Sequence, residues 1–173
     1  MLTKIVLIGP PGAGKSSVGR ALSKELSMSF IDSDSEVEKI AGKKISEIFV
    51  DDGEQIFRKM EVDVVSKLLT DFSGVIALGG GAPITVETQH KLESCDFPIV
   101  FIDVSISQAA NRVGFNKDRP LLLINPRQQW LNLMNDRRPV YERLATEIVS
   151  SDNKKPAEVA KIISEKLKSK LLK

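Results

Sequence analysis

The run Gly9-Pro10-Pro11-Gly12-Ala13-Gly14-Lys15-Ser16 constrains this chain more than any other feature, because it fits the spacing G-x-x-x-x-G-K-[ST]. It follows the apolar stretch Ile5 to Ile8 and leads directly into a helix-period segment starting near Lys15. Between a strand and a helix, consecutive amides can curl inward around a polyphosphate, and only side-chain-poor glycines permit that proximity. Gly9, Gly12 and Gly14 supply the backbone, with Ala13 and Ser17 completing the cradle. The following helix aims its free amides and positive dipole end at the anion. Lys15 then reaches the β- and γ-phosphates, and the Ser16 hydroxyl ligates Mg²⁺. A glycine turn with no nucleotide is the bland alternative.

Beyond this motif, short apolar runs alternate with amphipathic stretches. Ile5–Ile8, Phe30–Ile31, Val75–Leu78, Ile99–Ile102 and Glu147–Val149 read as five strands. Such a βαβα rhythm predicts an α/β chain with a parallel sheet covered by helices on both faces, a three-layer α/β/α arrangement. At 173 residues there is room for one core. Pro156 to Leu172 reads as a closing helix. Two segments exceed a minimal sheet: a long helical stretch, Asp34 to Leu69, punctuated by Gly42 and Gly53, and a loop, Gly114 to Pro126. Both are expected to serve ligands, the first (about 33–69) as a substrate-binding insertion and the second (about 113–126) as a mobile lid.

Composition removes several function classes. With 25 Lys+Arg against 23 Asp+Glu the net charge is +2, which gives no general reason to expect nucleic acid or membrane as a partner. No apolar run approaches the roughly 20 residues of a membrane span. Cys95, the one cysteine, excludes an internal disulfide and suits a reducing cytoplasm. His90, the one histidine, makes a Ser-His-Asp triad or a multi-histidine metal site improbable and is expected on a helix surface. Asn116-Lys117-Asp118 resembles a guanine-reading motif only superficially, since Arg119 stands where its acidic residue belongs.

The acceptor side is written in scattered charges. Asp32 and Asp34 are two residues apart at the end of the second strand, on one side of an extended chain and at the edge where parallel sheets meet ligands. One carboxylate suits Mg²⁺ through water and the other suits a hydroxyl proton, although a cap by Asp34 with Asp32 in a turn is the alternative. In the helix that starts at Glu54, Phe57, Met60, Val64 and Leu68 mark the apolar stripe. Counting about 100° per residue from Phe57 puts Glu61 near ~40°, inside the stripe, and Arg58 near ~100°, at its margin. Their spacing lets Glu61 steady the Arg58 guanidinium while its fork stays open to a carboxylate. Gly79-Gly80-Gly81 follows the third strand and permits close approach of a compact polar molecule. Arg112, Lys117, Arg119 and Arg137-Arg138 form a basic cluster, in which Arg119-Pro120 reads as a moving arginine that neutralises transition-state charge.

Taken together, these residues resemble the shikimate kinase family, within the nucleoside-monophosphate-kinase-like P-loop kinase fold. The resemblance spans nearly the whole chain, through Gly9 to Ser17, Asp32-Ser33-Asp34, Asp52-Gly53-Glu54 with Phe57-Arg58 and Glu61, Gly79-Gly80-Gly81, Arg119-Pro120-Leu121-Leu122 and Arg137-Arg138-Pro139-Val140-Tyr141. It implies strand order 2-3-1-4-5 and transfer of the ATP γ-phosphate to the 3-hydroxyl of shikimate. It further implies that Asp34 contacts hydroxyls, Arg58 and Arg137 grip the ring carboxylate, and Gly79, Gly80 and Gly81 form an amide surface beneath shikimate. Phe49 and Phe57 would form its apolar wall, Arg119 the lid arginine, and Arg112 a stacking partner for adenine opposite Pro156. Ser17 stands where such proteins frequently have threonine.

Another small-molecule kinase, for gluconate or a nucleoside monophosphate, is the enzymatic rival, and a noncatalytic nucleotide-dependent module is the rival from another class. A neutral sugar does not require two carboxylate clamps, and the module would leave Asp34 and Arg119 without a task. The expectation is a single-domain cytoplasmic monomer that binds ATP and a small acid.

Overall fold

Lys4–Ile8 forms the central strand, β1, and every residue in it is buried. A β-branched, apolar run covered on both faces is the pattern of an interior parallel strand. The computed structural model describes residues 2–113 and 125–171. Around β1 lie β2 (Phe30–Asp32), β3 (Gly74–Ala77), β4 (Ile99–Asp103) and β5 (Glu147–Ser150), in the order β2-β3-β1-β4-β5. All pairings are parallel: Val6 sits opposite Ile76 on one side and Ile99 on the other, Phe30 opposite Val75, and Phe101 opposite Ile148. The expected order and class are therefore both found.

Eight helices connect and flank the sheet among the described residues: α1 (Lys15–Glu25), α2 (Ser33–Ala41), α3 (Ile45–Asp51), α4 (Glu54–Asp71), α5 (Val86–Glu93), α6 (Ile106–Val113), α7 (Pro126–Leu144) and α8 (Pro156–Leu171). A short 3₁₀ turn spans Ala82–Ile84. α1 packs on α8 and β3, while α7 packs on α5 and β4. Ile5, Leu7, Leu22, Ile48, Ile76, Phe101, Ile102 and Ile163 are fully buried in one continuous core. Burial of each such side chain stabilises by about 1.5–3 kcal/mol.

The chain leaves β1 to one side for β2 and β3, then returns to the other for β4 and β5. That reversal opens a crevice above the carboxyl end of β1. The long stretch after β2 divides into three helices, broken where Gly42 (φ 69°) and Gly53 (φ 88°) turn the backbone left-handed. His90 is exposed on α5, as expected. The strand expected at Val75–Leu78 instead covers Gly74–Ala77, although the Leu78 amide still donates to the Leu7 carbonyl at 3.0 Å. α6 runs through Val113 and α7 begins at Pro126, so both ends of the expected lid are helical. Its interior, with Lys117 and Arg119, lies outside the described residues.

Candidate active site

Every strand delivers its next residues to the same edge of the sheet. The turn after β1 is the cradle: Gly14 is left-handed at φ 87°, no side chain caps α1, and no acidic residue occupies its first turn. By contrast, α2 is capped by Asp32 and carries Asp34 and Glu36 in its first turn. An uncapped N-terminus with free amides attracts an anion, and a capped, acid-rich one repels it. Lys15 Nζ arches back over the turn to donate to the Gly9 carbonyl at 2.8 Å and the Pro10 carbonyl at 3.0 Å.

Asp32 does two jobs at once. Its Oδ1 accepts from the Asp34 and Ser35 amides at 3.0 and 3.2 Å, capping α2, while its Oδ2 accepts from the Ser16 hydroxyl. The cap thus belongs to Asp32, not to Asp34 as the alternative reading had it, and Asp34 turns into the cleft. Among the described residues no three His, Cys, Asp or Glu side chains gather around a metal position. Ser16 and Asp32 nevertheless present hard oxygen donors side by side. That set fits a divalent cation carried largely by phosphate oxygens.

The three glycines after β3 make room for side chains. A Cβ on Gly79 would overlap Asp34 Oδ1, and one on Gly81 would overlap the Arg58 guanidinium. A Cβ on Gly80 would lie 3.2 Å from Pro11 Cδ and 3.5 Å from Arg137 Nη1. Gly80 therefore touches the phosphate loop on one side and an arginine on the other. The Gly79 amide is already engaged, donating to the buried Ser33 hydroxyl at 2.9 Å. Of the amide surface expected here, Gly79 thus contributes space for Asp34, and its N–H belongs to Ser33.

Arg58 Nη1 donates to Glu61 Oε2 at 2.8 Å and Nη2 to Glu54 Oε1 at 3.3 Å, with the guanidinium 5.1 Å from the Phe57 ring centre. Phe49 packs on Phe57 with ring centres 4.9 Å apart. Glu61 is 1% exposed, which bears out its place inside the apolar stripe. Burial pushes the Glu61 carboxyl above its ordinary value of 4.5, with Arg58 pulling the other way. The folded chain therefore holds that proton more tightly than the unfolded chain, and the stability this adds is present below 4.5 and lost as pH rises through the raised value. Urea midpoints measured from about pH 4.5 to neutrality should show Glu61→Gln gaining on the parent as pH rises. A constant difference would contradict this.

On α7, Trp130, Met134, Arg137, Tyr141 and Leu144 form the buried stripe. Arg137 is its one charged member and sits beside the Tyr141 hydroxyl, which donates to the Gly80 carbonyl at 2.5 Å. Burial pushes the Tyr141 hydroxyl up to about 12, so it stays a donor at any physiological pH. Trp130 Nε1 donates to the Pro11 carbonyl at 2.8 Å. The neighbouring Arg138 faces elsewhere, pairing with Asp103 Oδ1 at 2.6 Å and Glu142 Oε1 at 3.1 Å.

A cleft of about 670 Å³ runs from Asp34, Gly79 and Gly80 past the cradle to Arg112, Ser151 and Pro156. Arg112 is more tightly held than its sequence suggests: its edge nitrogens donate to the Ala13 carbonyl at 3.3 Å, to Ser151 Oγ at 2.7 Å and to the Ser151 carbonyl at 2.5 Å. Trp130, Ser151, Lys154 and Val159 were absent from the sequence reading of the site, and Ser33 figured there only inside the Asp32-Ser33-Asp34 motif, without a role. For Trp130 the signal was available, as the spacing Trp130, Met134, Tyr141, Leu144 already marks a buried face.

A phosphate cradle that shares Gly80 with an acid-and-arginine pocket, at the carboxyl edge of a parallel sheet, defines a P-loop small-molecule kinase. A sequence model of the shikimate kinase family matches residues 11–168, and the chain belongs to that family. A shikimate kinase of Thermobifida fusca is 46% identical over 162 residues, 94% of this chain and 93% of that one. The structure of shikimate kinase from Acinetobacter baumannii in complex with shikimate aligns with TM-score 0.96 at 33% identity, covering 100% of this chain and 97% of the other. That of Aquifex aeolicus aligns with TM-score 0.84 at 37% identity and 98% coverage of both chains. A deoxyadenosine kinase from M. mycoides with bound dATP shares the fold at 18% identity and TM-score 0.63, over 95% of this chain and 99% of that one.

Proposed function

We propose that this chain transfers the γ-phosphoryl group of ATP to the 3-hydroxyl of shikimate, giving shikimate 3-phosphate and ADP. The observation that carries this reading is the triglycine, with Asp34 against Gly79, Arg137 against Gly80 and Arg58 against Gly81, one contact away from Pro11. Two guanidinia suit a carboxylate, and Asp34 beside the cradle suits a hydroxyl of the same small acid. Family membership and the shikimate complex of the Acinetobacter relative support it.

In the transfer, the acceptor oxygen bonds to the γ-phosphorus while the bond from that phosphorus to the β–γ bridging oxygen breaks. The acceptor proton passes to Asp34. Charge building on the β-phosphate meets Lys15 and the amides of Gly12, Gly14, Ser16 and Ser17, while the Ala13 amide donates to the Pro10 carbonyl at 3.2 Å and Ala13 lines the cleft; Arg119, outside the described residues, is the arginine that the family resemblance assigns to the same charge. Arg58 and Arg137 hold the carboxylate, Glu61 steadies Arg58, and Phe49 with Phe57 walls the ring above the Gly80 and Gly81 amides. Ser16, with Asp32 through water, would hold Mg²⁺, which when bound neutralises the β- and γ-phosphate oxygens. Because its edge is spent on Ala13 and Ser151, Arg112 offers a flat face to adenine, with Pro156 opposite. Such stacking reads a base loosely.

The same reading has the chain act as a cytoplasmic monomer with no nucleic-acid or membrane partner. Among the described residues no helix is long and apolar enough to cross a membrane. A coupled ADP-release assay comparing shikimate, quinate and gluconate tests the acceptor. ADP should accumulate with shikimate and stay at background with ATP alone. Equal turnover on gluconate, or hydrolysis indifferent to any acceptor, would overturn the reading.

A further inference from the structure

Trp130 is the single tryptophan of the chain, 3% exposed in the first turns of α7, and its indole N–H donates to the Pro11 carbonyl in the middle of the phosphate loop. A buried indole needs an acceptor, and a buried carbonyl needs a donor, so each satisfies the other. This bond also has a directional effect. No described peptide bond is cis, and in a planar trans peptide the C=O and the following N–H point opposite ways. Holding the Pro11 oxygen toward α7 therefore turns the Gly12 N–H away from α7, and Gly12 lines the cleft. The Pro11–Gly12 peptide is the central one of a turn closed by the Ala13 N–H donating to the Pro10 carbonyl at 3.2 Å, with Gly12 at φ 82°, and Trp130 grips the carbonyl of that same peptide. Seven and eleven residues along the same buried face, Arg137 approaches Gly80 and Tyr141 donates to the Gly80 carbonyl.

We propose that Trp130 is a positioning residue for the phosphate loop: by gripping the Pro11 carbonyl it orients the Gly12 amide toward the bound polyphosphate. The inference rests on the nucleotide half of the function proposed above and is independent of the acceptor. Its test is calorimetric binding of ADP with no acceptor present. Trp130→Phe keeps the ring and loses the donor, and should weaken ADP binding about tenfold, the scale of one hydrogen bond to phosphate lost when the Gly12 amide is no longer held in place. In steady state the KM for ATP should rise while the KM for shikimate holds. A variant that melts earlier but binds ADP like the parent assigns Trp130 a packing role and overturns the proposal.

The parent chain gives a second readout that needs no variant. Its lone indole N–H yields one NMR resonance, which ADP should shift and shikimate alone should not. A resonance indifferent to ADP also overturns the proposal. Failure of the parent to phosphorylate shikimate would instead count against the acceptor assignment, because the calorimetric and NMR responses to ADP are both read without that acid.

Discussion

Asp34→Asn should lower kcat by about 10²-fold or more while ADP affinity stays near that of the parent, because the amide keeps the shape of the carboxylate and loses its basicity. Asp32, not Asp34, caps α2, so the helix keeps its N-terminal hydrogen bonds. The space left by Gly79 accepts an amide as readily as an acid. Stopped-flow or coupled-assay turnover at saturating substrates measures the loss, and unchanged turnover would remove Asp34 from the chemistry.

Arg137→Ala should reduce kcat/KM for shikimate by about a hundredfold. Hydrogen bonds between charged partners are worth about 1.5–3 kcal/mol, which corresponds to about tenfold to just over a hundredfold, and the 9% exposure of Arg137 puts its contacts at the strong end. The variant leaves the Tyr141 bond to Gly80 and the Trp130 bond to Pro11 in place, so ADP affinity should be preserved. Equal damage to both substrates would contradict the assignment. Arg58 is the less clean test of the same carboxylate contact, since its loss also strands Glu61 as a buried acid without its partner.

Much of this was legible in the sequence because the signals were local. The strand, glycine turn and helix around Lys15 occupy one short stretch, and each of the five apolar runs lies within a residue or two of an observed strand. Glu61 was legible for a different reason: a charge inside an apolar stripe must find a partner, and helical spacing offered Arg58. What stayed hidden depended on contacts far apart in the chain. Nothing local links Ser33 to Gly79, Trp130 to Pro11 or Arg112 to Ser151, since folding brings each pair together across 46, 119 and 39 positions. The triglycine was read as a surface for the substrate. Its tighter duty, clearance for Asp34 and Arg58, follows from side-chain directions that a spacing pattern does not encode.

Because α2, α3 and α4 form one uninterrupted insertion between β2 and β3, Asp34, Phe49, Phe57, Arg58 and Glu61 travel as a cassette. Grafting that cassette from a kinase of different taste would redirect the enzyme toward another alcohol without disturbing its use of ATP. Arg137, anchored on α7 outside the exchanged piece, would stay behind as an anion hook. Chimeras built this way should inherit a bias toward acidic alcohols.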